Sequence, residues 1–239
     1  MLKIMFGAAA AVAMFVGQQA SPTADKAPCT SDAMIVFDAS GSMSASDFPD
    51  GVSTRISRVR SALAKFLPQV SSTRNLGLVI YGPGQNADEC ENVSVRFGPM
   101  ADAGSKIEAE VDRLVPAGRT PLTNAVRDAA DALGAADKPG AIVLLTDGEE
   151  TCGGSPCNLA RELAARRPNT IVHVIGYKLQ SLDGSAPVSG AKCLSEKTGG
   201  LYLTAETVGD LVRALQKMLG CNQLSSVERL GAHIAKKRS

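Results

Sequence analysis

The chain contains no tryptophan, and its few tyrosines and phenylalanines leave the aromatic fraction at 4%. Only two histidines are present, His173 and His233. That is too few for an imidazole-rich zinc centre, and neither stands beside a candidate nucleophile. There is no G-x-S-x-G nucleophile turn and no G-x-x-x-x-G-K-[ST] phosphate loop, so serine-hydrolase and P-loop chemistry have no foothold. An excess of either charge is also missing: 25 Lys and Arg against 24 Asp and Glu give a net charge of +1. No broad basic field is left for nucleic acid. The 44% hydrophobic content with 21% charged residues excludes a long disordered chain. His173 lies inside an apolar run, where a hydrogen-bonded core residue is expected, and Lys197-Thr198-Gly199 reads as a helix ending in glycine.

The apolar block from Ile4 to Val16 is too short to span a bilayer comfortably. One lysine precedes it and small polar residues follow, the order of a secretory signal peptide, expected over residues 1–20. Residues 21–28 then read as a linker, 29–221 as one globular domain and 222–239 as a basic C-terminal tail. After cleavage no transmembrane segment is expected, and the protein is exported, either periplasmic or secreted. The six cysteines, Cys29, Cys90, Cys152, Cys157, Cys193 and Cys221, are an even set in an exported chain and so read as disulfides. Cys152 can pair locally with Cys157, or Cys90 can pair with Cys152 and Cys157 with Cys193. Spacing leaves both open.

Short apolar runs alternate with amphipathic stretches. The runs 34–37, 76–81, 141–146, 171–177 and 201–204 are rich in β-branched or aromatic residues, and several are almost continuously apolar, as parallel strands covered on both faces must be. Residues 92–98 alternate instead and follow 76–81 closely, which predicts an antiparallel edge strand. Helices are expected over 54–67, 105–114, 120–133, 158–167, 191–197 and 208–219, with Pro121 in a first turn and Gly134 as a stop. The order β-α-β-β-α-α-β-α-β-α-β-α implies an α/β fold: a doubly wound, mostly parallel central sheet with helices on both faces.

In such a sheet ligands sit beyond the carboxyl ends of the strands, where strand order reverses. Asp38 follows the run 34–37 and Asp147 follows 141–146. If these strands are neighbours, both carboxylates face one crevice. Ser40 and Ser42 alternate with Ala39, Gly41 and Met43 in a turning loop, and Thr120 begins a helix just before the Asp147 strand. Five oxygen-bearing side chains from three loops thus converge, a donor set that suits Mg²⁺ or Ca²⁺ rather than zinc or copper. Asp47, Asp50, Glu149 and Glu150 lie near the same rim and read as solvated loop acids.

Asp38-x-Ser40-x-Ser42, Thr120 and Thr146-Asp147-Gly148 together resemble the complete metal-ion-dependent adhesion site of von Willebrand factor type A domains, and the stretch TDGEETCGGSPC is similar to exported bacterial members. The resemblance implies that Ser40, Ser42 and Thr120 ligate the cation directly, with Asp38 and Asp147 acting through water or, for Asp147, directly in some states. It implies a partner protein that completes the site with an Asp or Glu carboxylate. In some family members a bridge clasps the two ends of the domain, which here would join Cys29 to Cys221. The function so implied is a non-enzymatic, divalent-metal-dependent binding or adhesion module. An assembly or metal-insertion factor for another exported metalloprotein is the alternative, and a metal-dependent hydrolase stands behind both.

Overall fold

The apolar runs become six strands in a computed structural model that describes residues 32–84, 90–178 and 190–220. The expected signal peptide (1–20), the linker (21–28), the Cys29 to Cys221 bridge and the tail (222–239) lie outside the described residues. The strands are β1 (Asp32–Asp38), β2 (Asn75–Tyr81), β3 (Val93–Met100), β4 (Gly140–Thr146), β5 (Thr170–Tyr177) and β6 (Tyr202–Ala205). They form one sheet in the order β3-β2-β1-β4-β5-β6. All neighbours run parallel except β2 and β3, so the expected antiparallel edge strand is present, with an irregular register near Leu78.

Among the described residues six helices cover the sheet: α1 (Arg55–Val70), α2 (Gly104–Asp112), α3 (Leu122–Ala132), α4 (Pro156–Arg166), α5 (Gly190–Thr198) and α6 (Val208–Leu219). Period-two alternation sorts β1 between the two faces. Ala33, Ile35 and Phe37 pack with α1, α2 and α6, while Met34 and Val36 pack with α3, α4 and α5. Apolar burial on both faces explains why β1 and β4 read as unbroken hydrophobic runs.

Several boundaries differ from expectation. α1 continues through Pro68 to Val70: the proline forfeits its N–H bond and crowds the Ala64 carbonyl, but burial of Leu67 and Val70 in the core holds the last turn. Pro121 is the cap of α3 rather than part of its first turn: its ψ of 53 is not helical, and its carbonyl accepts from Ala125 N. Thr120 therefore precedes the helix. Gly134 does stop α3, with φ +83. A 3₁₀ turn at Gly41–Ser44 was not evident in the sequence pattern.

Reversal of strand order falls between β1 and β4. From β1 the chain winds outward to β2 and β3 on one side, and β4, β5 and β6 extend the other. Asp38 and Asp147 emerge from these two adjacent parallel strands, which puts the crevice where the residues of interest are.

Candidate metal site at the sheet switch point

Asp38 ends β1 with no solvent exposure, and its carboxylate organises the loop that follows. Oδ1 accepts the Ser40 N–H at 2.8 Å, turning the chain back on itself. Oδ2 accepts the Thr146 hydroxyl at 2.8 Å and the Asp147 N–H at 3.4 Å, locking the β1 loop to the β4 loop. Thr146 in turn accepts from the Tyr81 hydroxyl at 3.0 Å. The 3₁₀ turn then brings the Ser40 and Ser42 hydroxyls to 3.1 Å from each other. Gly82, with φ +88, lets the end of β2 lie against this turn, because a Cβ there would fall 2.5 Å from Ser40 N.

The third loop is tied in by its backbone. Gly41 N donates to Gly118 O, and Ala117 N donates to Ala39 O, both at 3.1 Å. Thr120 and Thr151 hold one another through Thr120 N to Thr151 Oγ1 (2.9 Å) and Thr151 N to Thr120 O (3.1 Å). Ser40, Ser42, Gly118, Arg119, Thr120 and Thr151 line an open cleft of about 480 Å³. Asp147 stands behind Ser42, whose hydroxyl donates to its Oδ1 at 2.6 Å. The structure thus joins Asp38, Ser40, Ser42 and Asp147 by hydrogen bonds and places Thr120 on the wall of the same cleft.

This donor set fits a hard divalent cation. Adjacent ligands of an octahedral ion bound at about 2.1 Å lie about 3.0 Å apart, and the Ser40 and Ser42 oxygens are spaced almost so. Among the described residues no group of three His, Cys, Asp or Glu side chains gathers, and the cleft is lined by the hydroxyl-bearing Ser40, Ser42, Thr120 and Thr151. Burial, reinforced by the charge of Asp38, pushes the Asp147 carboxyl up to about 6 against the opposing pull of Ser42 and Arg55.

Arg55 was not found by sequence reasoning. Its Nη1 donates to Asp147 Oδ2 at 3.0 Å, and its Nε and Nη2 hold Asp47 Oδ2 at 3.1 and 2.6 Å. No local pattern marks it, since it lies 92 positions from Asp147. Three of the rim acids, exposed or half-buried as loop acids are expected to be, also hold defined partners. Asp47 holds Arg55. Asp50 accepts from Val52 N, Ser53 N, Ser53 Oγ and Arg58. Glu150 accepts Thr123 N at the start of α3 and Cys152 N in its own loop. Glu149 is exposed.

Cys90 is bonded to Cys152 and Cys157 to Cys193, so the local pairing of Cys152 with Cys157 does not form. Cys157 sits in the first turn of α4, and α5, which carries Cys193, packs alongside. Cys152 is left for the loop that enters β3. The loop after Asp147 is therefore stapled next to Thr151.

His173 is the hydrogen-bonded strand residue expected. Its Nδ1 accepts Leu201 N at 3.0 Å, and burial, with help from the Arg74 charge, lowers its pKa to about 4. An unfolded histidine titrates near 6.5, so its stabilising neutral state is complete above about 6.5 and is lost as pH falls towards 4. His173→Asn, which keeps an acceptor, is expected to flatten stability against pH across that window in urea unfolding; superimposable profiles would contradict the assignment.

Comparison with known proteins places these features in context. The profile of the von Willebrand factor type A domain matches residues 33–150. The uncharacterized protein YwmD of Bacillus subtilis is 28% identical over 219 residues, spanning 88% of this chain and 95% of that protein. Among solved structures, the vWF domain of the type V pili tip protein Mfa5 from Porphyromonas gingivalis superposes with a TM-score of 0.56 at 12% identity, covering 82% of this chain and 97% of that one. The proximal thread matrix protein 1 of the mussel byssus, with a zinc-occupied MIDAS motif, gives 0.55 at 18% identity, covering 81% and 48%. At such identities the two structures speak to the fold. Among the described residues no helix is long and apolar enough to cross a membrane.

Proposed function

The chain belongs to the von Willebrand factor type A domain family, whose profile spans residues 33–150, and on that premise we propose that it is an exported, divalent-metal-dependent protein-binding module. The observation that carries this reading is the convergence of Ser40, Ser42 and Thr120 on one open cleft, with Asp147 one hydrogen bond behind. Ser40, Ser42 and Thr120 would hold Mg²⁺ or Ca²⁺ directly, and Asp38 and Asp147 would support it through water or, for Asp147, directly. When bound, the cation supplies an electrophilic centre for an anionic oxygen from outside. A shell made largely of neutral hydroxyls neutralises a divalent charge only in part, so a partner's Asp or Glu carboxylate completes it favourably. The pilus-tip and thread-matrix proteins that share the fold are in keeping with an interaction role. Two disulfides among the described residues support export.

Millimolar Mg²⁺ or Ca²⁺ is expected to raise the melting temperature. A hundredfold excess over Kd is worth about 2.7 kcal/mol. Asp38→Ala, which releases the turn carrying Ser40, is expected to abolish that rise. Equal shifts in the two proteins would overturn the site. Capture of envelope proteins with and without EDTA tests the function, and the same proteins in both lanes would argue against a metal-bridged contact.

A further inference from the structure

Arg55 occupies a position that helix energetics disfavour. It is the first residue of α1, after the Thr54 cap, where the positive end of the helix dipole repels a cation. No acidic residue stands in that first turn to offset it. The local structure of the helix does not require an arginine either, because the cap is completed by Thr54 and Ser57. What holds the guanidinium is the pair of carboxylates on either side. Its side chain is 18% exposed, pinned between Asp147, whose side chain is fully buried, and Asp47, which is 38% exposed.

The consequence is a fixed positive charge beside the cleft. Asp147 offers one oxygen to Ser42 and the other to Arg55, so its negative charge is already shared with a guanidinium. Asp47 takes the opposite edge of that guanidinium and draws part of its charge away from Asp147. A divalent ion arriving beside Ser40 and Ser42 meets a site less negative than its two aspartates suggest.

We propose that Arg55 is the specificity-determining residue of the cleft: by occupying Asp147 it lowers affinity for the bare cation and makes binding depend on a carboxylate from outside. This rests on the metal-dependent reading above. Arg55 acts through Asp147 and is a positioning residue rather than a ligand. Asp47 is its counterweight, setting how much of the guanidinium charge is felt in the cleft. Metal and carboxylate then bind with positive coupling, each raising affinity for the other by the same factor.

The test is titration of the folded full-length protein with Mg²⁺ by calorimetry, in chloride and in acetate, for wild type, Arg55→Gln and Asp47→Asn. Arg55→Gln is expected to bind Mg²⁺ in chloride at least about tenfold more tightly than wild type and to lose the gain in affinity that acetate gives wild type. Asp47→Asn is expected to bind more weakly. Opposite signs from two variants that break one ion pair are not the result of general loosening, which weakens both. Circular dichroism establishes that each variant is folded, and Arg55→Lys, which keeps the charge, serves should the glutamine variant unfold: it is expected to retain the acetate dependence. If wild type binds Mg²⁺ and Arg55→Gln binds it equally or less well, the role of Arg55 is overturned and the metal site stands. If neither protein binds Mg²⁺, Ca²⁺ or Mn²⁺ under any condition, the metal reading itself falls and takes this inference with it.

Discussion

Thr146→Val is expected to destabilise the protein by about 3–5 kcal/mol, as breaking a buried charged network does. Valine keeps the volume, so packing is spared and the loss is polar. Thr146, Asp38 and Tyr81 are each fully buried. The single threonine hydroxyl donates to Asp38 Oδ2 and accepts from Tyr81. Without it Asp38 Oδ2 loses its short hydroxyl donor and keeps the long 3.4 Å contact from Asp147 N, and Tyr81, which also interacts with Asp38, is left with that carboxylate alone. Tyr81→Phe and Thr146→Val act on one network, so the cost of the double variant is expected to differ from the sum of the two single costs. Urea unfolding of all three variants measures this. A Thr146→Val cost below about 1 kcal/mol, the level of an ordinary surface change, would show that the network is not what holds the β1 and β4 loops together.

Reduction is expected to have the other large effect. The Cys90–Cys152 and Cys157–Cys193 bridges span 62 and 36 positions, and for loops of such lengths the chain-entropy model gives about 4 kcal/mol each. Together that rivals the whole stability of a typical domain, about 5–15 kcal/mol. A strong reductant should therefore move the urea midpoint far down or unfold the protein outright. Separate serine pairs divide the effect. Losing Cys157–Cys193 should cost stability alone, because no residue of α4 or α5 lines the cleft. Losing Cys90–Cys152 should also weaken Mg²⁺ binding, since Thr151, the neighbour of Cys152, is bonded to Thr120 on the cleft wall. An unchanged midpoint under reduction would contradict both bridges.

Much of the architecture was legible because it rests on signals local in sequence. β1 and β4 are buried on both faces and so carry unbroken apolar runs, and β3, at an edge, alternates. The cluster Asp38, Ser40 and Ser42 was visible because strand end, turn and hydroxyls fall within a few residues. What was hidden depends on where distant loops land. Arg55 gives no local sign of its two carboxylate partners, and Glu150 looked like one acid among several until α3 was seen to place Thr123 N against it. The disulfide pairing was open for the same reason: which cysteine Cys157 meets is decided by the packing of α4 on α5. Pro121 misled because proline suits both a first helical turn and the residue before it, and only its backbone angle distinguishes them.

The bonds that assemble the cleft connect remote parts of the chain: Ser42 and Asp147 are 105 positions apart, and Asp38 and Thr146 are 108 apart. No subset of neighbouring residues brings all these groups together, so the unfolded polypeptide lacks the cleft. A chain exported unfolded, as a signal peptide would direct, would leave the cytoplasm without a passenger ion. On the metal-dependent reading proposed above, its first metal would be acquired wherever folding finishes, so the ionic composition of that compartment, rather than that of the site of synthesis, would decide which divalent ion the protein carries.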